Sequence, residues 1–207
     1  PIGLVKEFRR TIHRELDFSR EGRTTDRFAA NFREDETIHI PKVFWDYTGQ
    51  TVLTLEYISG IKISQQEELK AAGMDLKTIA ENGADNFLKQ VFIHGLFHAD
   101  PHPGNIHVLP GNVICILDYG MVGRLDDDLK LHLTELLLCV LRRDVDRLIR
   151  QLLYSGEVHD ESNLKNLKRD LTEFIDDYYD ILLQDLKVGK LLIHFVDILT
   201  EYQFKSR

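Results

Sequence analysis

Three oxygen-bearing side chains stand at a spacing suited to phosphoryl transfer. Asp100 opens the run Asp100-Pro101-His102-Pro103-Gly104-Asn105, which places Asn105 five residues beyond it. Asp118 follows thirteen residues after Asn105, at the head of Asp118-Tyr119-Gly120. Such chemistry needs a carboxylate that takes the proton of an attacking hydroxyl, and oxygen ligands that hold a divalent cation against a phosphate chain. Asp100 is the candidate base, and Asn105 and Asp118 are the candidate ligands of Mg²⁺. Two carboxylates in one site repel each other, and a cation lets both stay ionised. Pro101 and Pro103 stiffen the loop, reducing the entropy lost on metal binding.

The residues between the ligands must bring them together. Ile106 to Leu109 and Val113 to Leu117 are β-prone and flank the turn sequence Pro110-Gly111-Asn112. That pattern predicts a hairpin returning Asp118 to the side of Asn105. The spacing also matches protein kinases, where a catalytic-loop Asp, an Asn five residues on and the Asp of an Asp-Phe-Gly element share one site. The histidines offer a rival. His98, Asp100, His102 and His107 lie close in sequence and form a candidate zinc or di-metal set for a hydrolase. That reading leaves Asn105 and Asp118 without a role, whereas the first gives His98 one in bracing the loop.

Elsewhere the pattern is mostly helical. Leu4, Phe8, Ile12 and Leu16 predict a helix, and Glu21 to Phe32 predicts another. Ile38 to Tyr47, containing Pro41, and Thr51 to Ile58 predict short strands before a break at Ser59-Gly60. Further helices are expected over Leu76 to His94, ending at Gly95, and over Asp126–Arg142, Asp144–Tyr154, Glu161–Gln184 and Lys190–Phe204. In a kinase-like order of elements, Glu21 sits on the helix whose Glu pairs with a strand Lys holding the phosphates. Glu56, Tyr57 and Ile58 stand where a hinge offers main-chain groups to adenine.

Composition sets outer limits. A net charge of −8 argues against nucleic acid as the main partner, since binding it rewards clustered Lys and Arg. Cys115 and Cys139 lie far apart in apolar surroundings and read as buried thiols rather than a disulfide. No apolar run reaches the roughly 18 residues needed to span a bilayer, and no secretory signal opens the sequence given.

Taken together, these residues resemble the UbiB/AarF-type atypical kinases, also called the ADCK family. The resemblance rests on Glu15-Leu16-Asp17-Phe18-Ser19-Arg20-Glu21, Ile40-Pro41-Lys42-Val43, Val52 to Gly60, Gly95 to Ile106 and Leu117 to Leu125. It implies an α+β, protein-kinase-like fold, with a partial N-lobe over residues 1–60 and a mostly helical C-lobe over 61–207. It implies ATP with Mg²⁺ as cofactors, and an atypical kinase or ATPase supporting ubiquinone biosynthesis. Isoprenoid quinone lipids or quinone-biosynthesis proteins are the implied partners. The implied location is a bacterial cytoplasm or membrane surface, with an organelle as the alternative. Glu15 and Asp17 fill the family's Glu-x-Asp motif, which helps close the active site, and Glu21 becomes the partner of the ATP-contacting Lys. The family's upstream Lys-x-Gly-Gln motif, Ala-rich nucleotide loop and strand Lys have no counterpart here. Lys6, on the same helical stretch as Glu15, does not replace that Lys, so the sequence is expected to be a fragment, or a reduced form, of a longer protein. A pseudokinase or lipid-handling scaffold is the non-enzymatic alternative, and the kinase-like phosphotransferases of small molecules are a related possibility.

Overall fold

The structure, a computed structural model, describes residues 17–154 and 164–184. The helices expected over Leu4–Leu16 and Lys190–Phe204 fall outside that range, as does Glu15. The chain divides after Leu125 into two compact units.

The first unit opens on α1, Phe18–Asn31. The Asp17 side chain caps it by accepting from Ser19 N at 3.2 Å, satisfying one of the amides that a helix start leaves unpaired. The sequence places this start three residues later, at Glu21. Phe28 and Phe32, one turn apart, bury the face that packs into the core. A four-stranded sheet follows, made of β1 (Ile38–His39), β2 (Ile61–Lys62), β4 (Ile106–Leu109) and β5 (Val113–Ile116) in the order β1-β5-β4-β2. β4 and β5 form the expected antiparallel hairpin, with Leu109 opposite Val113. Gly111 and Asn112 both carry positive φ in its turn, the conformation that Gly and Asn tolerate best. Asn112 also ties the turn to the helical layer, its Oδ1 accepting from Asp75 N at 2.9 Å. That layer consists of α2 (Gln66–Ala71) and α3 (Leu76–Leu88). α3 runs on as a π-helical turn, Lys89–His94, which ends at Gly95 with φ of 60°. β3 (Leu96–His98) then pairs antiparallel with β6 (Val122–Arg124), Phe97 opposite Gly123. Phe28, Phe32, Ile38, Leu69, Ile79, Val108, Ile114 and Tyr119 are central to the core of this unit.

The expected strands over Ile38–Tyr47 and Thr51–Ile58 need correction. Only Ile38–His39 is a strand, Trp45–Tyr47 is a 3-10 turn, and one bridge, Val43 to Leu55, joins the two segments. The reason is local. Thr54 N donates to Thr48 Oγ1 at 3.0 Å and Thr54 Oγ1 donates to Tyr47 O at 2.7 Å, so side chains take up groups that a ladder would pair. Pro41 supplies no N–H. The Ser59-Gly60 break lies inside the first unit, because β1 pairs with β5 across it.

The second unit contains α4 (Asp127–Leu141), α5 (Val145–Tyr154) and α6 (Leu164–Gln184). Asp126 caps α4 by accepting from Leu129 N at 2.9 Å. Leu136, Cys139, Leu148, Leu152, Leu167, Leu171 and Phe174 form its own core. Cys115 and Cys139 are both free and buried, one in each unit. Among the described residues, no helix is long and apolar enough to cross a membrane.

Candidate phosphoryl-transfer site

The hairpin performs the expected convergence. Asn105 Nδ2 lies 3.2 Å from Asp118 Oδ2. Leu117 N donates to Asn105 O at 2.9 Å, which closes the base of the hairpin beside the pair. Asp118 Oδ1 accepts from Gly120 N at 2.8 Å, a local turn that fixes the carboxylate. Asp100 and Asp118 are both exposed and line one cleft of about 930 Å³ in the first unit.

His98 holds the two loops together. It is 3% exposed. Its Nε2 lies 2.5 Å from Asp118 O, and its Nδ1 lies 3.2 Å from Asp100 N. A carbonyl oxygen only accepts, so Nε2 carries the proton and Nδ1 accepts from Asp100 N–H; the neutral Nε2–H tautomer satisfies both bonds. One imidazole therefore sets the distance between the Asp100 loop and the Asp118 loop. The backbone of His98 is fixed in turn by Gln90 Oε1, which accepts from His98 N at 2.9 Å. Gln90 is 2% exposed and belongs to the π-helical turn, whose extra residue per turn re-aims side chains relative to a regular helix. His102 serves a smaller loop, its Nδ1 accepting from Gly104 N at 3.1 Å. His98 and His102 thus have hydrogen-bonding roles, whereas among the described residues the buried Nδ1 of His107 has no hydrogen-bond partner. Among the described residues, no group of three or more His, Cys, Asp or Glu is placed to hold a metal ion.

α1 supplies the opposite wall. Asp17, Arg20, Glu21, Thr24 and Arg27 recur along one helical face and line the cleft. Glu21 Oε1 accepts from Tyr119 N at 3.2 Å, so this helix is bonded directly to the Asp118 loop. Tyr119 is fully buried, with its ring centroid 4.8 Å from that of Phe28 and 5.9 Å from that of His98. Burial pushes its phenol well above the usual value. The thiol of Cys115 rises to about 12, through burial and the Glu56 carboxylate.

The expected hinge residues do not join this group. Glu56, Tyr57 and Ile58 are absent from the lining of the cleft. Glu56 Oε2 accepts from Lys42 N at 3.1 Å and pairs with His39 Nε2 at 3.0 Å. The Lys42 backbone bond, opposed by burial and reinforced by His39, holds the Glu56 carboxyl below its usual range. Glu56 thus anchors the segment after β1, and Tyr57 is 90% exposed. Sequence reasoning missed Gln90. Its only signal is an amide beside the apolar residues Phe87, Leu88, Val91 and Phe92, an environment in which a polar group must find a partner.

A small mixed sheet, a hairpin carrying Asn and Asp, and a helix bonded to the loop after that Asp define a kinase-like fold. The comparisons agree. The family model described as "ABC1 atypical kinase-like domain" matches residues 1–152, and the chain belongs to that family. It is 34% identical over 204 residues to the uncharacterized protein sll1770 of Synechocystis sp., covering 98% of this chain and 35% of that one. It is 32% identical over 177 residues to the uncharacterized protein sll0095 of the same organism, covering 86% of this chain and 31% of that one. The chain therefore spans about a third of the length of these curated relatives. Among solved structures, the complex of Rv3197 with erythromycin from Mycobacterium tuberculosis matches with a TM-score of 0.60 at 19% identity, covering 97% of this chain and 58% of that one. That likeness is one of fold.

Proposed function

We propose that this chain forms the metal-binding half of an ATP-dependent phosphotransferase or ATPase of the UbiB type, acting in the biosynthesis of ubiquinone or a related isoprenoid quinone, in the cytoplasm or at a membrane surface. The observation that carries the reading is the 3.2 Å approach of Asn105 to Asp118 across the hairpin, with Asp118 sharing a cleft with Asp100. The donor set fits Mg²⁺, which takes hard oxygen ligands and needs few from the protein when phosphates and waters complete its shell. Asp118 would hold it through a carboxylate oxygen, and Asn105 through its amide oxygen. When bound, Mg²⁺ neutralises charge on the phosphate chain.

The remaining work falls to protein groups. Asp100 accepts the proton of the attacking hydroxyl or water. His98 keeps Asp100 and Asp118 at a fixed separation, so little reorganisation is needed in the reacting complex. Glu21 orients the Asp118 loop through Tyr119 N, and in the full-length protein it would be the partner of the ATP-contacting Lys. Asp17 starts the same helix, and Glu15 continues the acidic motif into the preceding residues.

The test is ATP turnover by the full-length protein that carries this chain, with and without Mg²⁺, against its Asp118→Asn variant. Loss of turnover with the fold retained supports the reading. Equal turnover in both proteins removes it.

A further inference from the structure

Three arginines in the cleft have no place in the mechanism just given. Arg20 and Arg27 project from α1, and Arg124 comes from β6. All three are exposed. Among the described residues, none of the three guanidinium groups has a hydrogen-bond or ion-pair partner, although Asp17, Glu21, Asp100 and Asp118 line the same cleft. Elsewhere in the same unit, basic side chains do find acids: Lys89 bonds Asp35 at 2.7 Å and also pairs with Asp85. The arginines are thus available in a concave site where partners stand nearby.

Geometry favours an anionic ligand. Arg20 and Arg27 are two helical turns apart on one face, and Thr24 lies between them. Arg124 enters from a different element, so a ligand entering the cleft meets guanidinium groups from two sides. Guanidinium forks match phosphate oxygens bidentately and stay charged at any working pH. Charge balance points the same way. Four carboxylates and three guanidiniums leave the lining one charge negative, and a single divalent ion at Asn105 and Asp118 makes it one charge positive. A cleft of that kind holds a polyanion when its cation is bound.

We infer that Arg20, Arg27 and Arg124 form a phosphate-binding subsite in this cleft, which holds a phosphate or diphosphate group during the reaction. The inference rests on reading Asp100, Asn105 and Asp118 as the phosphoryl-transfer centre, and it adds a substrate class to that centre. The anionic group belongs either to the nucleotide's own tail or to a phosphorylated acceptor.

The test uses pyrophosphate and the Asp118→Asn chain in magnesium-free buffer; the substitution leaves three carboxylates facing three guanidiniums, so the metal-free lining is no longer net negative and binding does not depend on the proposed metal site. Calorimetry should register binding that weakens about tenfold on Arg27→Gln or Arg124→Gln, as expected for loss of a charge-assisted bond. Arg124→Lys should recover part of the loss, and the affinity should fall with salt. Unchanged melting temperatures establish that these surface variants stay folded. Pyrophosphate affinity within twofold of the parent in the triple Arg→Gln variant overturns the subsite, whatever Asp118→Asn does to ATP turnover. A second arm identifies the source of the group. On the unaltered chain with magnesium, competition between ATP and pyrophosphate assigns the subsite to the nucleotide tail, and simultaneous binding assigns it to the acceptor.

Discussion

Replacing His98 by Phe tests whether one buried ring fixes the separation of the Asp100 and Asp118 loops. The substitution keeps a planar ring beside Tyr119, at the present centroid distance of 5.9 Å, and leaves the His98 N–H bond to Gln90 intact. It removes two hydrogen bonds. The bond to Asp118 O is short, at 2.5 Å, and part-buried, so its loss strands a carbonyl at a cost of about 1.5 kcal/mol. The bond from Asp100 N is longer, at 3.2 Å, and Asp100 is exposed, so water can replace most of it at a cost of about 0.5 kcal/mol. The expected loss is therefore about 2 kcal/mol, seen as a fall of roughly 4–8 °C in melting temperature for a chain of this size. Hydrogen exchange separates the local effect from the global one. The Asp100 amide should exchange faster in the variant by more than amides in the β4–β5 ladder do. A variant that melts within 1 °C of the parent, with unchanged exchange at Asp100, refutes the reasoning.

Three further perturbations follow from the same contacts. A Cβ on Gly123 would run into the Phe97 ring at Cζ, so Gly123→Ala should cost about 1–3 kcal/mol by overpacking, and Phe97→Leu should recover part of it in a double-mutant cycle read by urea unfolding; additive costs would exclude the ring as the cause. Among the described residues the buried Tyr119 hydroxyl has no hydrogen-bond partner, so Tyr119→Phe should stabilise the fold by about 1 kcal/mol, and a clear loss of stability in thermal melts contradicts this. On the acid side, burial holds His94 and His107 below their ordinary value of 6.5; the unfolded chain binds these protons first, so their contribution is full above about pH 6.5 and is lost as pH falls from there through the folded values. Burial raises the Asp35 carboxyl, but bonds from Lys89 and Thr37 outweigh that and lower it, adding a second loss below about pH 4. Urea midpoints from pH 8 to pH 3 should show both steps, with Asp35→Asn flattening the second; midpoints that rise between pH 6.5 and pH 5 would be incompatible with the first.

Parts of this fold were readable because their signals are local. The Pro110-Gly111-Asn112 turn between two β-prone runs specifies the hairpin and hence the meeting of Asn105 with Asp118. Asp126 and Gly95 mark helix ends by capping chemistry that depends on neighbouring residues alone. Thr51 to Ile58 misled for the opposite reason. Its β-formers express a preference for a pleated, partly buried surface, and that preference yields a strand only where ladder partners are available. Thr48 and Thr54 divert the backbone groups of this segment, and a lone two-stranded ribbon is marginal in water. Gln90 escaped notice because its partner, His98 N, is supplied by the next strand after a π-helical turn. Glu56 was read for its position before a break, yet its carboxylate bonds Lys42 N and His39, contacts that exist only once β1 is in place.

The site is held from both sides by hydrogen bonds to backbone atoms, and this constrains how it can change state. Glu21 grips Tyr119 N from α1, while His98 grips Asp118 O from the strand after the π-helical turn. These two contacts flank a single peptide bond, the one between Asp118 and Tyr119. Rotating that peptide to move the carboxylate away from Asn105 would break both contacts at once and expose Tyr119, whose ring packs against Phe28 and His98. Breaking only one leaves the other to restore the geometry. The position of the Asp118 carboxylate is therefore coupled to that of α1. Any ligand that pulls α1 through Arg20 or Arg27 acts on the same peptide through Glu21, without needing to touch Asp118.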